Sequence, residues 1–133
     1  MRAFLDRTVA EARDRGYVET ILGRRRYISE LREKNHNTRM FGERVAKNSP
    51  LQGSAADLIK VAMIEARNAL RDGALRAKLL VQVHDELVVE APTEEVDRVA
   101  ALVKSCMEGA ARLRVPLVAD VGSGDNWLDA KAG

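Results

Sequence analysis

Thiol chemistry is nearly absent from this chain. Its single cysteine, Cys106, excludes an internal disulfide, and with histidine confined to His36 and His84 no Cys/His cluster offers zinc-ligand spacing. Such cysteine usage fits a reducing cytoplasm. Long apolar runs are missing as well. None approaches the roughly 20 residues that a membrane helix needs, and the N-terminus carries no apolar core of signal-peptide length. The expectation is a soluble, cytoplasmic protein with no membrane partner. Charge of one sign is also lacking: 22 basic residues stand against 20 acidic ones, a net charge of +2. A nucleic-acid footprint must therefore come from local clustering and not from bulk charge. Internal repeats and low-complexity tracts are absent. What remains is 133 residues with 46% hydrophobic content, enough for about one domain with a modest core.

The chain is organised around Leu79 to Pro92, LLVQVHDELVVEAP. Val81 and Val83 lead into a polar centre, and Leu87, Val88 and Val89 lead out, the pattern of two β-strands joined by a tight turn. Two-residue hairpin turns ordinarily use Asn-Gly or Asp-Gly, because their central residues take positive φ. Here the turn is His84-Asp85, with no glycine. A local rule broken inside a consistent segment marks a functional candidate. Asp85 and Glu86, beside His84, could offer oxygen ligands to a hard divalent cation. A charged, solvated turn is the other reading of the same residues.

Upstream, Phe4, Leu5, Val9 and Ala12 predict an amphipathic helix ending before Gly16. Tyr17 to Leu22 and Arg25 to Ile28 predict a second hairpin turning at Gly23-Arg24. Arg24, Arg25 and Arg26 give the strongest local positive charge, although strand neighbours face opposite sides and cannot all reach one phosphate row. Ser29 to Asn37 reads as a loop or short helix in which His36 is solvated. Thr38 to Asn48 predicts a helix that restarts or kinks at Ser49-Pro50, where proline suits a first helical position. Ala55, Leu58, Ile59, Ala62, Met63, Ala66 and Leu70 then make an apolar stripe closed by Asp72-Gly73. Arg44, Asn48 and Gln52 recur every four residues, so they share one polar stripe if the helix axis continues across Pro50. A solvent-facing stripe has the same spacing as a row of donors laid along a duplex. After the central hairpin, Thr93-Glu94-Glu95 starts a helix carrying Val96, Val99, Ala100, Val103, Met107 and Ala110 to about Arg112. Cys106 on it reads as packing, Leu117 to Val121 as a last strand, and Trp127 as an anchor of the tail. The architecture expected is α+β: a small antiparallel sheet of the central hairpin and Leu117 to Val121, packed against the long helices, with a separate hairpin near Gly23.

Val83-His84-Asp85-Glu86 in this setting resembles the third polymerase signature of family A DNA polymerases, the bacterial DNA polymerase I group. GYVETILGRRR (Gly16 to Arg26), ERVAKNSPLQGSAADLIK (Glu43 to Lys60) and GSGDNWLDAK (Gly122 to Lys131) resemble the same family's C-terminal third, in the same order. The resemblance implies the C-terminal part of the polymerase palm with the base of the fingers, and template-directed nucleotidyl transfer with two Mg²⁺ ions. It implies Asp85 as a metal ligand, with Glu86 a looser, water-mediated or outer ligand. It further implies Arg44, Asn48 and Gln52 on primer, template or the terminal base pair, and His84 near the primer terminus; the Arg24 to Arg26 cluster is a candidate DNA contact on its local charge alone, with a solvated turn as the other reading of the same residues. Partners implied are primer-template DNA and deoxynucleoside triphosphates. Two family features are missing from these residues: the aspartate of an earlier palm motif and the fingers helix whose Lys and Arg hold the triphosphate. The chain is thus expected to be the C-terminal portion of a longer or split enzyme, inactive without the rest. A non-catalytic nucleic-acid-binding remnant remains an alternative. A metal-dependent phosphohydrolase is a weaker one, because such sites need further His and Asp on helices.

Overall fold

Residues 1–132 are described by a computed structural model of the chain. The elements run α1 (Arg2–Arg15), β1 (Tyr17–Glu19), β2 (Arg25–Tyr27), a 3₁₀ turn (Ser29–Arg32), α2 (His36–Asp72), β3 (Lys78–Val83), β4 (Glu86–Glu90), a second 3₁₀ turn (Thr93–Glu95), α3 (Val96–Glu108) and α4 (Trp127–Ala132). They form two compact units, Met1–Asp57 and Leu58–Gly133, with α2 contributing residues to each.

In the first unit α1 closes as its sequence dictates. Gly16 takes the left-handed conformation, φ 88°, and its N–H returns to the Ala12 carbonyl, an end that an L side chain would strain. The chain then turns into the antiparallel pair β1–β2, in register Tyr17↔Tyr27, Val18↔Arg26 and Glu19↔Arg25. Val9, Ala12, Val18, Ile28, Leu31 and Ala46 form the core of this unit. The 3₁₀ turn comes close to α2: a Cβ at Gly42 would lie 2.9 Å from the Leu31 backbone nitrogen.

The second unit packs α2 and α3 against the β3–β4 hairpin through Ala66, Leu70, Ala77, Val99 and Val103, with Leu87, Val89 and Met107 around them. This is the expected arrangement of the central hairpin and long helices. Burial of Ile59, Ala62, Ala66 and Leu70 bears out the apolar stripe, whereas Ala55 at its start is exposed. The register shifts between Leu79 and Val81, so Leu80 is an extra residue bulged from β3 and is exposed.

Four expectations are corrected. The helix expected over Thr38 to Asn48 does not end there and restart at Pro50: α2 runs through Pro50 without interruption. Proline has no N–H for the i−4 carbonyl, a cost of about 3 kcal/mol in a helix interior. Ala46 and Ser49, just before it, are buried, Ala46 within the core of the first unit. Leu117 to Val121 forms no strand among the described residues, and the sheet keeps only β3 and β4. The Ala119 N–H donates instead to Glu108 Oε2 at 3.0 Å. Helix α3 stops at Glu108 and not Arg112: the Gly109 N–H still reaches the Ser105 carbonyl four residues back, but the Ala110 N–H turns to Met107, three residues back. Trp127 does not anchor the tail by burial, being 45% exposed at the start of α4.

Candidate functional site

Arg44, Asn48 and Gln52 project from α2, and all three are exposed. Since the helix is continuous across Pro50, their four-residue spacing sets them along one face at steps of about 6 Å. The condition placed on the polar stripe is met by the helix that carries it.

Beside this stripe, the β1–β2 hairpin is fastened to α2 by a compact polar network. The Thr20 hydroxyl donates to Asp57 Oδ2, and Arg24 Nε donates to Asp57 Oδ1 at 2.8 Å. The Arg24 N–H donates to Thr20 Oγ1 at 3.1 Å, and the Ile21 N–H to Ser54 Oγ at 2.9 Å. Gly53 permits the approach, since a Cβ there would fall 2.7 Å from Thr20 Cγ2. Within the hairpin, Gly23 takes φ 83°, which turns the chain tightly enough for its N–H to reach the Thr20 carbonyl.

The arginine cluster is thereby divided into different tasks. Arg24 serves Asp57. Arg25 pairs with Glu19 at 3.0 Å and lies over the Tyr17 ring, 4.5 Å from its centre. Hydrogen bonding to Tyr27 and then Glu19 raises its already high pKa. Arg26 falls on the other strand face, is exposed, and makes no ion pair with a described residue. All three arginines border a cleft of about 100 Å³ that Gln52, Ser49 and Glu19 also line. The structure thus brings Gln52 to the arginine hairpin. Arg44 and Asn48 follow along the same helix outside that cleft.

In the second unit, β3 and β4 are joined by His84-Asp85, as expected. Only His84 has positive φ, 52°, so a single left-handed residue makes the turn. Histidine is among the side chains that enter that region more readily. Gln82 Nε2 donates to the His84 carbonyl and braces it. His84 and Asp85 are exposed at the tip. Glu86 is half-buried, and its Oε1 meets Lys131 Nζ at 3.5 Å. Among the described residues no group of three or more His, Cys, Asp or Glu converges as a metal cage. A hard divalent cation takes six or more oxygen ligands, so the hairpin fits such an ion as one side of a site and not as a whole one. His36, at the start of α2, is exposed, as its loop position implied.

Asp57 is the residue that sequence reasoning passed over. A carboxylate four positions after Gly53, within a helix turning apolar, was the available signal, but its partners lie more than thirty residues away.

Residues 1–129 match DNA polymerase family A. DNA polymerase I of Geobacillus stearothermophilus is 51% identical over 131 residues, which cover 98% of this chain and 15% of that protein. The thermostable DNA polymerase I of Thermus thermophilus is 50% identical over 131 residues, 98% of this chain and 16% of its own length. Among solved structures, the POL domain of Pol1 from M. smegmatis, in complex with DNA primer-template and dNTP, superposes with a TM-score of 0.95 at 47% identity. It covers 98% of this chain and 23% of that one. The chain therefore spans about 15% of the length of the curated relatives it matches. With a matching fold and a family match over residues 1–129 of its 133, the chain belongs to DNA polymerase family A.

Proposed function

We propose that this chain is the C-terminal part of the palm, with the base of the fingers, of a DNA-directed DNA polymerase serving replication and repair in the cytoplasm. Its partners are primer-template DNA, deoxynucleoside triphosphates and the remaining polymerase portion, in the same chain or another. What supports the reading most is the presentation of Arg44, Asn48 and Gln52 along one exposed face of an uninterrupted helix in a chain of this family. Donors at that spacing suit the minor groove, where every base pair offers an N3 or O2 acceptor. One donor there tests pair geometry without reading sequence.

Asp85 would hold Mg²⁺ together with an aspartate from outside these residues, and Glu86 would stand looser or one shell out. Two such ions, when bound, activate the primer 3′-hydroxyl and steady the leaving pyrophosphate. The β3–β4 ladder and the left-handed His84 set the backbone of the turn on which Asp85 is exposed, which supports a ligand role for its carboxylate. His84 lies near the primer terminus, while Arg25 and Arg26 add positive charge for the phosphate backbone. One hairpin cannot complete a two-metal site, so the fragment alone does not extend primers.

Single-turnover primer extension across a Mg²⁺ titration tests this, with the missing portion supplied. Asp85→Asn should abolish nucleotide addition while leaving duplex binding nearly intact, and its turn should survive because Asn accepts such geometry at least as readily. Extension at the parental rate would instead leave a nucleic-acid-binding module without catalysis.

A further inference from the structure

The polar network at Asp57 is not accounted for by any of the roles above. Its carboxylate is 7% exposed, on a helix face turned toward the β1–β2 hairpin. One oxygen receives Arg24 Nε at 2.8 Å and the other receives the Thr20 hydroxyl. Thr20 Oγ1 in turn accepts the Arg24 N–H, so three groups close a ring that fixes both ends of the Thr20–Arg24 turn. A buried carboxylate is stable only when its oxygens are satisfied, which makes the arrangement all-or-none. Directly beyond the turn lie Arg25 and Arg26, lining the cleft that Gln52 borders from α2.

We propose that Asp57 is a positioning residue for the DNA grip: it locks the arginine hairpin onto α2, so that Arg25 and Arg26, on the two faces of their strand, keep fixed positions relative to Gln52 at the duplex. This rests on the nucleic-acid reading given above. Asp57 itself touches no DNA. A geometric role and an electrostatic one predict opposite signs. Removing a negative charge beside a phosphate-binding cleft, and releasing Arg24 from its pair, strengthens attraction to a polyanion if charge alone matters. If position matters, the loosened hairpin must be ordered again on binding, and affinity falls.

Duplex affinity, measured by fluorescence anisotropy over a salt series in the complete protein, separates the two. Asp57→Asn keeps the size and can still accept from Thr20, but it cannot pair with Arg24. It should weaken binding by on the order of tenfold. Thr20→Val and Gly53→Ala reach the same junction from other sides, the latter through the 2.7 Å contact with Thr20. Each should also weaken binding, and Thr20→Val should add little on top of Asp57→Asn, because both break one ring. Tighter or unchanged binding by folded Asp57→Asn overturns the proposal, as does a lowered melting temperature with unaltered affinity. Should that variant not fold, unchanged affinity in both Thr20→Val and Gly53→Ala overturns it equally. If the parent protein binds no duplex at low salt, the nucleic-acid reading itself fails and this proposal with it. Parental binding with insensitive variants sinks the positioning role alone.

Discussion

Lys131 Nζ stands 3.5 Å from Glu86 Oε1, while the adjacent Asp85 makes no ion pair with a described residue. The neighbouring carboxylates therefore have different surroundings. Both members of the pair are substantially exposed, so the contact contributes less than about 1 kcal/mol of stability. Lys131→Ala should leave the urea midpoint nearly unchanged. In reconstituted extension, Glu86→Gln should cost about 10 to 100-fold, the usual penalty for an outer partner, against complete loss for Asp85→Asn. If Glu86→Gln proves the more damaging change, the roles of the two carboxylates are reversed.

Gly42 sets two effects of similar size against each other. Alanine is favoured over glycine in a helix by about 1 kcal/mol. A Cβ at this position, however, would sit 2.9 Å from the Leu31 nitrogen and 3.1 Å from the Glu30 carbonyl carbon, both backbone atoms. Backbone cannot rotate aside, and overpacking costs about 1 to 3 kcal/mol. Gly42→Ala should thus destabilise the protein despite its better helix propensity. Equilibrium urea unfolding gives the sign, and a stabilised variant would show that the 3₁₀ turn yields to the side chain.

Local spacing made much of this molecule legible. Arg44, Asn48 and Gln52 fall on one face because the period of a helix is fixed by its backbone. Val81, Val83 and Leu87 to Val89 announced the hairpin for the same reason. Pro50 and Leu117 to Val121 show where local rules stop. Proline's preference for a first turn did not end the helix, in which Ala46 and Ser49 are buried just before it. The β-branched pattern at Val118 encodes a preference for extended chain but cannot supply a neighbouring strand, and Ala119 bonds to a side chain instead. Asp57 was illegible because its role depends on Thr20 and Arg24 arriving from another element.

Cys106 faces the second unit's core, and burial, with Glu65 adding to it, raises its thiol pKa. Less thiolate is present near neutral pH than for a free cysteine, and the thiolate is the reacting species. Alkylation by iodoacetamide should be slower in the native protein than in urea, with the gap narrowing as pH rises through the native pKa. The linked effect on stability has a definite sign. Above the unfolded-state pKa the native state holds more protons than the unfolded one, so this group's contribution falls as pH increases. Equal alkylation rates in the native and denatured protein would show that the thiol is open to solvent.

Gln52 lies on the arginine cleft as well as on the polar stripe, and is exposed. An exposed polar residue on a helix contributes little to stability, so Gln52→Ala should change the melting temperature scarcely at all. If its amide tests the minor-groove acceptors of the terminal pair, the substitution should weaken the transition-state complex by about 1 to 3 kcal/mol, the worth of a good base contact. The loss should appear in the rate of extension from a matched primer terminus. Because N3 and O2 acceptors are common to all pairs, it should be similar whichever base pair ends the primer. Single-turnover extension on four templates differing only in the terminal pair, with thermal melting alongside, checks both halves. Parental extension rates combined with a shifted melting temperature would make Gln52 a packing residue, and a loss confined to one base pair would make it a reader of sequence.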